Sequence, residues 1–156
     1  MRTPVIMWSI CAGLLLMSAS ATAGQSPVTY IPSDKVTAGF AKGSVLFAGP
    51  VYMVHASRRD TPGQAEVHVK DTDIIYVLEG SSTFITGGIA VGAKETAPDE
   101  LRGSAIDGGE IRHLVKGDVI IVPNGTPHWF KEVQAPFLYY VVKVREAAGG
   151  SAGGGR

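Results

Sequence analysis

Apolar and polar residues alternate in short runs along most of this chain, and Gly, Pro or Asp cuts the runs at close intervals. Residues 45–47 and 51–56 are strand candidates, separated by Ala48-Gly49-Pro50. Residues 57–63 form a charged loop, and 65–70 the next strand. After a kink at Asp71-Thr72, strands are expected over 73–79 and 82–86, with Gly80-Ser81 as the turn between them. From 89 to 109 the pattern is weak, with four glycines and a proline, and predicts a long loop or an irregular hairpin. Regular strands resume at 110–115 and 119–122. The second of these is four β-branched apolar residues and is expected to meet little solvent on either face. Strands at 128–133 and 137–145, joined by a turn at Gln134-Ala135-Pro136, end the pattern.

A helical period shows only near residues 33–40, over a turn or two. Many short strands with frequent turn residues predict an all-β sandwich or barrel. The chain has 156 residues, which suits one such domain, placed at 28–146. Its two ends look different. Arg2, an apolar run over 5–17 and the small-residue site Ala21-Thr22-Ala23 have the form of a secretory signal peptide, 1–23, cleaved after Ala23. Residues 147–156 are Ala, Gly and Ser closing on one Arg, and are expected to be a disordered tail. The expected location is periplasmic or secreted, with no stable membrane anchor after cleavage. Cys11 is the one cysteine and lies inside the leader, so thiol chemistry is excluded from the mature chain. Removing Arg2 leaves 13 basic against 14 acidic residues, which offers no footprint for nucleic acid.

The chemistry gathers around residues 117–128. Gly117-Asp118 turns the chain, 119–122 is the strand, and Pro123-Asn124-Gly125 turns it again. His128 then opens the next strand, where the backbone holds it as a ligand or general base must be held. The spacing Gly117-x5-Pro123-x-Gly125-x2-His128 resembles the second motif of the cupin superfamily at every fixed position. Upstream, Glu66-x-His68-x4-Asp73-x6-Gly80 is similar to the first cupin motif, which runs G-x5-H-x-H-x3-4-E-x6-G. Here Glu66 stands for a histidine and Asp73 for the glutamate. Asp60 stands at the leading glycine's place, with Gly63 three residues later. The resemblance implies a double-stranded β-helix, that is, a jelly-roll barrel. With no internal repeat, it implies a single-domain cupin that pairs into a homodimer.

Glu66 and His68 are two apart on one strand and share a face. Asp73 is in phase with Ile75 and Val77, facing the barrel. The metal ligands that the resemblance implies are His68, His128, Asp73 and Glu66, with Glu66 also available as a catalytic general base. Two imidazoles with carboxylates suit a divalent transition metal such as Fe, Mn, Zn or Ni. A 2-His-1-carboxylate set would remain if one acid did not bind. A bound cation is expected to offset the cost of burying the carboxylates. His55 is expected to be packed or at an edge, and Phe84, Trp129, Phe130 and Tyr140 are candidates for pocket walls. Two functions fit: an exported metal-dependent enzyme of the dioxygenase, isomerase or lyase type acting on a small organic molecule, or a non-catalytic binder of a metabolite or metal.

Overall fold

The computed structural model describes residues 27–145, and the folded unit begins at Ile31. The expected leader and tail lie outside the described residues. One helix, α1 (Ser33–Lys42), precedes eleven strands. They are β1 (Ser44–Ala48), β2 (Tyr52–Arg59), β3 (Ala65–His68), β4 (Asp71–Thr86), β5 (Ile89–Val91), β6 (Lys94–Ala97), β7 (Glu100–Gly103), β8 (Ala105–Asp107), β9 (Glu110–Val115), β10 (Val119–Val122) and β11 (His128–Arg145). Nine strands form one curled antiparallel sheet; β5 and β8 make a separate pair. This is the double-stranded β-helix. Among the described residues, no helix is long and apolar enough to cross a membrane.

Two long strands carry the architecture. β4 and β11 pair along most of their lengths, from His128 opposite Thr86 to Arg145 opposite Asp71. The first half of β11 also reaches β3, and its second half is flanked by β2. Both strands run straight through segments that the sequence predicts as turns. Gly80 is a bend inside β4, with φ +77°. A Cβ there would stand 2.5 Å from the Pro136 carbonyl oxygen and 2.7 Å from that of Gln134, so only glycine fits. Gln134-Ala135-Pro136 is the facing bend in β11, where the register shifts.

Those bends reset the two-residue period. Before Gly80 the buried positions of β4 are Asp73, Ile75 and Val77; after it they include Ser82 and Phe84. In β11 the buried residues are His128 and Phe130, then Phe137, Tyr139 and Val141. The inward side chains form one core cluster, including Ile75, Val77, Phe84, Phe130, Phe137 and Val141. Tyr140 therefore points outward, edge-on to Phe40 of α1 at 5.0 Å, and Tyr139 takes the inward place expected for Tyr140.

Two further expectations are corrected. Residues 89–109 hold four short strands, and β7 pairs with β3. β10 is not buried on both faces: Val119 and Ile121 are each 61% exposed, opposite Tyr76 and Ile74. β10 is an edge strand, paired with β4 alone among the described strands, and the outer face it shares with Tyr76 and Ile74 is open to solvent.

Candidate metal centre

The turn between β10 and β11 binds both motifs together. Gly125 N–H donates to the His68 carbonyl at 2.7 Å, and Asn124 N–H to Thr72 Oγ1 at 3.2 Å. His128 opens β11 directly opposite Glu66 of β3. Its Nδ1 lies 3.1 Å from the Thr126 carbonyl oxygen, which can only accept, so Nδ1 carries the proton and Nε2 presents its lone pair. Burial holds the His128 imidazole below its ordinary pKa, outweighing the Thr126 bond, and so favours the neutral form.

Glu66, His68, Asp73 and His128 are all buried and meet in one cavity of about 390 Å³. The two imidazole rings are 5.0 Å apart, centre to centre. Glu66 Oε2 stands 3.7 Å from His68 Nε2 and 3.9 Å from His128 Nε2. One donor atom from each of these three residues lies within 4.8 Å of the others. Donors about 2.1 Å from one ion stand about 3.4 Å apart when tetrahedral and about 3.0 Å when octahedral. The two separations from Glu66 to the imidazoles come within about half an ångström of the tetrahedral spacing and within about 0.9 Å of the octahedral one.

Asp73 is placed differently. Its Oδ2 is 3.4 Å from His68 Nε2 and 3.9 Å from His128 Nε2, but it is not part of the mutually close triad. Both of its oxygens contact Lys143 Nζ, at 2.8 and 3.1 Å. Burial would raise the Asp73 carboxyl, but the His68 hydrogen bond and the Lys143 charge outweigh it and leave it below the ordinary value.

Glu66 is likewise not an isolated carboxylate. While Oε2 faces the imidazoles, Oε1 accepts from Arg102 Nη1 at 3.0 Å and from Arg59 Nη2 at 3.4 Å. Burial would raise its carboxyl, but the two guanidinium charges hold it below the ordinary range. The expected role of a cation, offsetting buried carboxylates, is thus already filled by three side chains. What remains for a metal is the geometry of the triad, with neutral His128 and ionised Glu66 in the states that ligation requires.

Arg59, Arg102, Lys143 and Tyr139 are cavity residues that the motif does not announce. Lys143 and Tyr139 continue the inward face of β11, one strand period either side of Val141, and the alternation in 137–145 carried that signal. Arg59 ends β2 where the sequence predicts a loop, and Arg102 lies on β7 in a segment whose sequence shows no clear period. His55 lines the cavity rather than an edge, with Nδ1 2.8 Å from Ser57 Oγ. Of the four aromatic candidates only Phe130 lines the cavity. Phe84 is core, with its ring 6.0 Å from that of His128. Trp129 packs on a second cluster around Ala65, Ile85 and Ile106.

A family model described as cupin matches residues 51–149, more than half of the chain. The chain belongs to the cupin family. The fold of this cupin is similar to that of BH2720 from Bacillus halodurans, at 15% identity and TM-score 0.55, over 78% of this chain and 85% of that one. A protein with a double-stranded β-helix domain from Klebsiella pneumoniae matches at 19% identity and TM-score 0.48, over 68% and 77% of the two chains. A DMSP lyase, DddQ from Ruegeria pomeroyi, matches at 18% identity and TM-score 0.48, over 70% of this cupin and 48% of the lyase. No curated protein matches the chain.

Proposed function

We propose that this cupin is an exported metal-binding protein whose cavity takes a small organic molecule, with Glu66, His68 and His128 as the protein ligands of one divalent transition ion. The observation that carries this is the convergence of Glu66 Oε2 on two imidazole Nε2 atoms, 3.7 and 3.9 Å away, inside a cavity with space beside them. Three protein donors leave coordination positions open, the pattern of catalytic rather than structural sites. A bound ion would supply Lewis-acid polarisation of a ligand oxygen. Asp73 then works from outside the triad, holding His68 in place and sharing its charge with Lys143. If Glu66 does not ligate, it is poised at the same spot as a general base, between two guanidinium groups that keep it ionised.

Export is supported by the basic start, apolar run and Ala21-Thr22-Ala23 site. A homodimer is supported by the exposed apolar row of Ile74, Tyr76, Val119 and Ile121 on the outer face.

Metal analysis of protein purified from its export route tests the proposal. About one equivalent per chain is expected, and less than about a tenth would defeat it. His128→Ala should weaken zinc binding by more than the roughly ten- to hundredfold that outer partners are worth. Full metal retention in that variant would remove the assignment.

A further inference from the structure

The metal triad leaves one departure from the motif unused: the displaced glycine at 63. Gly63 has a steric reason. A Cβ there would stand 2.6 Å from Arg59 Nη1. Gly63 is itself pinned, its N–H donating to the Phe130 carbonyl at 3.0 Å and its carbonyl accepting from Trp129 Nε1 at 2.7 Å. The Arg59 guanidinium lies 4.5 Å from the centre of the Phe130 ring, and its Nε donates to Tyr139 Oη at 3.0 Å. These contacts fix Arg59 without help from any acid.

Of the other four cations of the cavity wall, three are committed to carboxylates. Arg58 is paired with Asp60, Lys143 with Asp73, and Arg102 with both Glu66 and Glu100. Lys42 is exposed at the end of α1. Arg59 has only the long 3.4 Å approach to a Glu66 oxygen that Arg102 already holds, and its Nη1 has no hydrogen-bond partner among the described residues. Five Lys or Arg side chains line the cavity against three carboxylates. A divalent ion would make the balance more positive still.

Taking the cavity as the small-molecule site proposed above, we infer that its ligand is a small organic carboxylate held by Arg59, and that Gly63, Phe130 and Tyr139 seat that guanidinium for the purpose. A planar carboxylate matches the guanidinium fork. A phosphate could pair with the same fork, so the test sets it against the acids.

Calorimetric titration of the full chain with benzoate and succinate, against benzamide and succinamide, tests this in metal-free and in zinc-loaded protein. At least one of the acids should bind more tightly than its amide in both forms. Arg59→Gln should lose about ten- to a hundredfold in affinity for that acid, the worth of a charged bidentate pair, and should do so in metal-free protein, where no change at Glu66 as a zinc ligand contributes. If Arg59→Gln does not fold, Arg59→Lys keeps the charge and the stem over Phe130 but not the fork, and should still bind the acid several-fold more weakly. The inference is overturned if neither acid binds, if amide and acid bind alike, if inorganic phosphate binds more tightly than both acids, or if the Arg59 variant that folds binds the acid as wild type does. Acid binding that needs zinc and ignores Arg59 would place the anion on the metal and keep the metal site alone. Arg59-dependent binding in protein that takes up no zinc would keep this inference and end the metal proposal.

Discussion

The histidines and the carboxylates reach the same cavity on different supports. His128 is held by backbone: the Thr126 carbonyl fixes its tautomer, while Gly125 N–H grips the main chain at His68. Glu66 and Asp73 are held by long cationic side chains from other strands, Arg59 of β2, Arg102 of β7 and Lys143 of β11. Backbone support costs little when charge changes, because it neutralises nothing. Cationic support is a charge balance, and removing one partner leaves a buried ion behind. The histidine side should therefore respond to changes in ligation, and the carboxylate side to changes in charge.

Breaking the Lys143–Asp73 pair should give the largest effect on stability. Asp73 is buried and the Lys143 side chain is 21% exposed, so solvent screens the pair only in part. Lys143→Met should cost about 2–4 kcal/mol at pH 7 by denaturant unfolding, somewhat under the full cost of an orphaned buried charge. The pH dependence of this group should also weaken. In the wild type the Asp73 carboxyl is depressed, so its stability is present above the unfolded value and lost as pH falls. Without Lys143, the His68 contact alone opposes burial, so the folded value moves up and the loss on acidification begins at a higher pH. A cost that does not shrink between pH 7 and pH 5 would show that Asp73 is balanced by something other than Lys143.

Acid titration of the wild type should separate the two sides with a smaller effect. Burial holds His128 and, with the Lys143 charge, His55 below 6.5, so the unfolded chain takes up their protons first. Stability should start to fall as pH drops below about 6.5. Arg59 and Arg102 keep Glu66 depressed against its burial, and Asp73 is depressed as well, so a second loss belongs below about pH 4. Urea unfolding from pH 8 to pH 3 should show both steps. His128→Gln should shrink the upper step and leave the lower one. An upper step of unchanged size would assign it to other groups.

The same division explains how much could be read from the sequence. A turn that fixes a histidine through its own backbone needs particular residues at particular spacings, and Gly117, Pro123, Gly125 and His128 display them. Strand alternation placed Glu66 with His68, and Asp73 with Ile75 and Val77, because no bulge intervenes. It failed at Tyr140, because the bends at Gly80 and Gln134-Ala135-Pro136 shift the register and look like turns in one dimension. The cations were hardest to see. An arginine can reach the cavity from many backbone positions, so Arg59 and Arg102 follow no spacing. Arg102 also sits in β7, where four short strands over 89–109 leave no run long enough to show a period. The exposure of Val119 and Ile121 escaped for another reason: β-branched residues favour any strand, whichever way it faces.

Gly63→Ala should produce the smallest change in stability and the sharpest separation of seat from ligand. Gly63 does not need a left-handed backbone, so alanine is allowed there and even reduces the freedom of the unfolded chain. Its added methyl meets the far end of a flexible arginine, which can move aside. Unfolding free energy should stay within about 1 kcal/mol of wild type. The Arg59 guanidinium, however, would leave the place set by Phe130 and Tyr139. Affinity for the bound carboxylate should fall several-fold and by more than zinc affinity does, because the imidazoles do not depend on Arg59 for support and Arg102 still holds Glu66. Equal loss of zinc and carboxylate affinity in Gly63→Ala would mean that the two sides of the cavity are one mechanical unit, and that the contrast between backbone and cationic support does not hold.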